Sequence, residues 1–159
     1  MLELNKQVVL ADAFITMHIM AYEGMLNTKV MQDTILELER EILTMPQVEM
    51  PVKHMFAPGI YIREMTAKAG TLATGAIHKT HNTSIIVKGD FLLLTDKGIA
   101  SRVKAPYMFT TDIGIKRVAF FIEDTTWITI HPTTETDIDK LKAELTAKTF
   151  EEAGEYLCP

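Results

Sequence analysis

Three histidines, His78, His81 and His131, are the side chains in this sequence that could best hold a first-row metal ion. Such an ion needs about three or four imidazole, carboxylate or thiolate donors. His131 ends the run Trp127-Ile128-Thr129-Ile130-His131, so in an extended strand it shares a face with Trp127 and Thr129. His78 and His81 stand three residues apart, and an extended strand turns them to opposite faces. A three-histidine site therefore requires a bend at Lys79-Thr80; without it, His81 and His131 read as surface or loop histidines. Other catalytic signatures are missing from the sequence. There is no G-x-S-x-G elbow, phosphate-binding glycine loop, dinucleotide fingerprint or paired-cysteine motif. His54, just ahead of the turn residues Ala57-Pro58-Gly59, reads as structural.

These residues must be positioned by a chain that changes character twice. Residues 5–45 carry helical periodicity, with a stop at Glu23-Gly24 and a cap for a second helix at Asn27 or Thr28. In that second helix Met31, Ile35, Leu38, Ile42 and Met45 recur at helical spacing and form one apolar stripe. Two heptads are too short for a free-standing coiled coil, so the stripe packs on the domain or across an existing dimer. From residue 52 to 131 the period becomes that of strands. Ile60, Ile62 and Glu64 alternate with Tyr61, Arg63 and Met65, and short β-rich runs follow at 71–78, 83–88, 91–95, 99–104, 107–111, 116–122 and 125–131. Turn residues such as Lys88-Gly89-Asp90 and Asp96-Lys97-Gly98 separate several of them. Evenly spaced short strands with no intervening helix predict a mainly β, antiparallel double-sheet jelly roll. A last helix is predicted over about 136–150, capped by Thr136, with Ile138, Leu141 and Leu145 on one face. The organisation expected is an N-terminal helical extension (1–50), a barrel (51–132) and a C-terminal helix and tail (133–159), together one compact domain.

Composition narrows the function classes. The 159 residues carry a net charge of −5, which withholds the cationic footprint that nucleic acids and anionic membrane surfaces require. The basic cluster Lys97, Arg102 and Lys104 fits a strand edge protected by charge. Cys158 is the single cysteine, so no intrachain disulfide forms; together with the lack of an apolar leader this gives a cytoplasmic expectation.

The middle of the chain also has a recognisable frame. Gly70 is followed by five residues, then Ala76, Ile77 and His78, three more to Asn82 and six more to Gly89. This spacing resembles the first signature motif of the cupin superfamily, whose two histidines and glutamate would fall at Ala76, His78 and Asn82. A looser likeness to the second motif runs from Asp112 to Arg117, with Arg117 in place of the third histidine, Asp112 in place of the proline and Phe121 in place of the asparagine. The segment from Gly75 to Pro132 is also similar to short cupin-like proteins of bacteriophages and mobile elements. The resemblance implies a cupin-type barrel, an RmlC-like jelly roll, with Ala76, His78, Asn82 and Arg117 facing its pocket and a homodimer as the assembly.

With those substitutions the standard metal seat keeps one strong ligand, His78. Alanine offers no donor, and a guanidinium repels a cation. The expected cofactor is none; the alternative is a divalent transition metal on His78, His81 and His131. His78, Asn82 and Arg117, with Trp127 as a core anchor or pocket wall, instead suit a small ligand bearing a carboxylate or phosphate. The opposing possibility is that Arg117 is spent on a carboxylate such as Glu64 or Glu123. Three functions follow, with catalysis not favoured: a ligand-binding or regulatory protein, an interaction protein assembling through its N-terminal helices, or a metal-dependent isomerase or dioxygenase with an atypical histidine site.

Overall fold

Nine of the ten strands between Val52 and Pro132 pair into two facing antiparallel sheets, with helices before and after them. The computed structural model describes residues 2–154, with side chains from residue 8 onward; Cys158 lies outside them. The larger sheet runs in the order β1 (Val52–Ala57), β2 (Ile60–Ala67), β10 (Thr125–Pro132), β5 (Asn82–Lys88), β8 (Tyr107–Thr111). The smaller runs β3 (Leu72–Thr74), β9 (Arg117–Phe121), β6 (Asp90–Thr95), β7 (Ala100–Lys104). Side chains from both, including Ile86, Phe91, Leu93, Phe121 and Trp127, form the core between them. This is the double-sheet jelly roll expected from the sequence.

Gly89 shows why the frame needs glycine at one position. Its φ is +111°, and a Cβ there would lie 2.1 Å from Thr125 Oγ1 and 2.7 Å from Thr125 Cα. No side chain fits that turn between β5 and β6.

The N-terminal helices α1 (Leu2–Tyr22) and α2 (Thr28–Leu43) cover the outer face of the smaller sheet. Phe14, Met17 and Ala21 of α1 and Met31, Ile35 and Leu38 of α2 bury against Leu94 and Val118, with Leu72, Leu92 and Phe120 at the margin. Four of the five stripe residues, Met31, Ile35, Leu38 and Ile42, thus pack on the chain's own barrel. Asn27 caps α2, its side chain accepting from Val30 N at 3.0 Å. Polar contacts fix both helices. His18 Nε2 donates to the Ser101 carbonyl (3.1 Å), and Lys116 Nζ donates to Glu39 Oε1 and the Gly75 carbonyl, each at 2.8 Å.

Strand β7 is an edge of the smaller sheet, and Arg102 on it forms a two-pronged pair with the buried Asp90 at 2.8 and 2.9 Å. Arg102 and Lys104 of the basic cluster therefore sit on a strand edge, while Lys97 lies in the turn before it.

Two local expectations are corrected. The run 71–78 is two strands, β3 and β4 (Ile77–His78), parted at Gly75-Ala76, where Gly75 N–H instead binds the Arg117 carbonyl at 2.8 Å. The C-terminal helix is broken into α3 (Ile138–Leu145) and α4 (Phe150–Gly154). Thr146-Ala147 between them turns extended and pairs as β11 with β4, taking up its otherwise free backbone groups. Asp137, not Thr136, caps α3, because its carboxylate reaches both Asp139 N and Lys140 N at 3.0 Å. Among the described residues no helix is long and apolar enough to cross a membrane.

Candidate functional site

Which face of each strand turns inward decides what the barrel can bind. On β2 it is the face of Tyr61, Arg63 and Met65, and on β10 that of Trp127, Thr129 and His131, joined in register as Tyr61↔His131, Arg63↔Thr129 and Met65↔Trp127. These six residues line a cavity of about 370 Å³, within the range of small-molecule sites. The facing sheet contributes Arg117, Ala119 and Phe121, and the β3–β4 segment contributes Thr74, Gly75, Ala76 and His78. Helix α3 closes one side, with Ile138, Leu141, Lys142 and Leu145 on the cavity wall.

Aromatic rings form a ladder along one side. Phe56 stacks on Tyr61 (5.3 Å between ring centres), Tyr61 on His131 (5.7 Å) and His131 on His78 (5.8 Å). His54 Nδ1 lies 2.7 Å from the Tyr61 hydroxyl and fixes the Tyr61 ring. Burial drives the His78 imidazole down to about 4, helped by the neighbouring His131, Arg117 and Arg63. Burial, then Arg63, does the same to His131, also to about 4. Both rings are therefore neutral at pH 7.

The guanidiniums are the positive centres. Arg117 donates to Thr111 Oγ1 and lies over the Phe109 ring, 5.1 Å from its centre. Burial lowers it to about 10, still charged at neutral pH, and burial also lowers Arg63. Among the described residues neither guanidinium is in ion-pair contact with a carboxylate. Glu64, a partner considered for Arg117, is taken by Lys53 at 2.8 Å. Among the described residues the cavity wall carries no Asp or Glu. Five buried polar atoms of its lining residues have no protein partner among the described residues: His78 Nδ1, His131 Nδ1, Trp127 Nε1, Thr129 Oγ1 and Arg117 Nε.

The structure thus brings together His78, Arg117, Trp127 and His131 and leaves out two other candidates. His81 is exposed and faces Asp112 Oδ1 at 3.4 Å: the chain does bend at Lys79-Thr80, but the bend leaves His81 outside the cavity. The three-histidine cluster is therefore not formed. Asn82 is buried on β5 opposite Thr111, but is not among the residues lining the cavity; the Arg117 guanidinium, bonded to Thr111, occupies that end. Among the lining residues not singled out as site residues are His54, Tyr61 and Arg63. The alternation Tyr61-Arg63-Met65 was the signal for the last two, lacking only the knowledge of which face turns in.

The donor set does not fit a metal of the kind the fold family implies. Among the described residues no group of three or more His, Cys, Asp or Glu side chains converges. His78 and His131 present stacked ring faces to each other, and two guanidiniums set a positive field where a cation would sit.

No family model matches the chain, and no curated protein matches it. Solved structures do. The ectoine synthase of P. lautus superposes with a TM-score of 0.52 at 15% identity, covering 68% of this chain and 84% of that one. KdgF from Halomonas sp. gives 0.47 at 18% identity over 57% and 87% of the two chains. An RmlC-like cupin family protein with a double-stranded β-helix fold from Methanocaldococcus jannaschii gives 0.46 at 12% over 54% and 81%. At such identities the likeness is one of fold. Two facing antiparallel sheets, a glycine frame with the expected turns and a cavity between the sheets give this chain a cupin-type double-sheet jelly-roll fold.

Proposed function

We propose that this protein binds a small anionic molecule in the barrel and acts through that binding, without a resident metal. One observation carries the reading: Arg117 holds a buried positive charge on the cavity wall and, among the described residues, is in ion-pair contact with no carboxylate, Asp96 and Asp112 acting on it only from a distance. Leaving a charge so placed is costly unless something pairs with it. A carboxylate or phosphate would accept parallel charge-assisted hydrogen bonds from the guanidinium. The neutral imidazoles, the indole N–H of Trp127 and the Thr129 hydroxyl supply directional hydrogen bonds without adding charge. Met50, Met65, Phe121, Leu141 and Leu145 supply an apolar wall for the rest of the molecule.

Trp127 is the only tryptophan in the chain and stands on the cavity wall, so its fluorescence reports occupancy directly. Titration with hexanoate is expected to change that emission saturably. The neutral isostere hexanamide is expected to bind at least about tenfold more weakly, since it forfeits one charge-assisted pair. Equal responses to the two compounds, or none to either, would count against an anion site.

A further inference from the structure

We propose that the cavity takes a two-headed anion, a short apolar body with a carboxylate at each end, and that Arg63 and Arg117 each hold one end. This extends the anion-binding reading above and rests on it. Position carries the argument. Arg63 on β2 is in register with Thr129 on β10, Thr129 with Ser84 on β5, and Ser84 with Phe109 on β8. Arg117 comes from the opposite sheet, yet its guanidinium stands over Phe109 and donates to Thr111 on the same strand. The two guanidiniums therefore address opposite ends of one cross-sheet row.

Strands β2 and β8 lie three inter-strand steps apart, roughly 14 Å along the sheet at about 4.8 Å a step. Even with both side chains leaning inward, a single carboxylate or phosphate head is too small to take a full guanidinium fork from each. Two heads on a spacer are not. The part of the row on the cavity wall is polar: Thr129 Oγ1 is buried without a protein partner among the described residues. Met50 and Met65 beside it and Phe121 on the opposite sheet give the cavity an apolar lining that suits a hydrocarbon spacer. Neither arginine has a competing carboxylate from the protein among the described residues, so both charges are available to the guest.

Three probes of matched length separate two heads from two charges: adipate (two heads), hexanoate (one head, one charge) and hexyl phosphate (one head, up to two charges). Binding is read by Trp127 fluorescence at constant ionic strength. Adipate is expected to bind at least about tenfold tighter than hexanoate and tighter than hexyl phosphate. Arg63→Gln is expected to bring adipate down to the level of hexanoate while moving hexanoate by less than about threefold. Arg63→Lys, which keeps the charge and loses the fork, is expected to fall between, and circular dichroism checks that both variants fold. Hexyl phosphate matching adipate, or an adipate advantage unchanged in a folded Arg63→Gln, overturns the proposal. Hexanoate binding with no gain for adipate removes the two-headed ligand alone; no binding of any probe removes the anion site with it.

Discussion

Replacing Arg117 with methionine will raise the stability of the ligand-free protein and abolish anion binding in the same step. Arg117 is buried, charged and unpaired by any carboxylate among the described residues, so the folded state bears its desolvation cost. Methionine replaces the aliphatic part of the arginine side chain and has no charge to desolvate. Against that gain stand the lost bond to Thr111 Oγ1 and the contact with Phe109. A net stabilisation of about 1–2 kcal/mol is expected, which for a chain of this size raises the melting temperature by about 3–6 °C. Hexanoate affinity should fall by about 100-fold, the loss expected for a charged hydrogen-bonding partner. Thermal melts and fluorescence titrations on one preparation test both halves. A variant that is less stable and binds as well as the wild type would make Arg117 a structural residue.

The second large effect is on acid stability. His78 and His131 have values of about 4 in the folded protein, against 6.5 in an unfolded chain. Below pH 6.5 the unfolded chain takes up protons that the folded one refuses, so stability falls as pH drops from 6.5 towards 4. For these two groups the loss levels off below 4, where both states are protonated. At about 1.4 kcal/mol per unit, the ceiling is about 3 kcal/mol for each imidazole. Urea midpoints measured between pH 8 and pH 4 should decline across that window, and the decline should be shallower in His131→Gln. A flat profile would mean that water reaches the two rings freely.

These two effects involve residues of unequal legibility. Gly70, Gly89 and the turn residues report backbone geometry, and backbone geometry is local enough to be read from spacing; the jelly roll followed from them. The packed stripe of α2 was likewise visible as a period, and its destination was one of the two considered. What spacing could not supply was the hand of the alternation. Ile60, Ile62, Ile128 and Ile130 resemble core residues, and Tyr61, Arg63, Thr129 and His131 resemble a surface. The structure inverts this, because the barrel interior around the cavity is the polar side and these four isoleucines are left half-covered or exposed outside. Arg63 and His54 were hidden for that reason. Lys116 and Arg117 show the same limit in two neighbouring residues. One turns out to Glu39 on α2 and the other turns in to the cavity, and charge alone does not say which. His81 differs again: the bend at Lys79-Thr80 is present, but where it points His81 is set with Lys79, whose Nζ reaches the Ala143 carbonyl and Glu152, contacts made with the distant C-terminal helices.

The account stands on a cavity that attracts anions where the fold family would seat a cation. Anomalous diffraction from crystals soaked separately in bromide and in zinc addresses this most directly. A bromide peak beside the Arg117 guanidinium, with no zinc peak between His78 and His131, is the predicted result. A zinc ion held between those two imidazoles, with no bromide near Arg117, would contradict it.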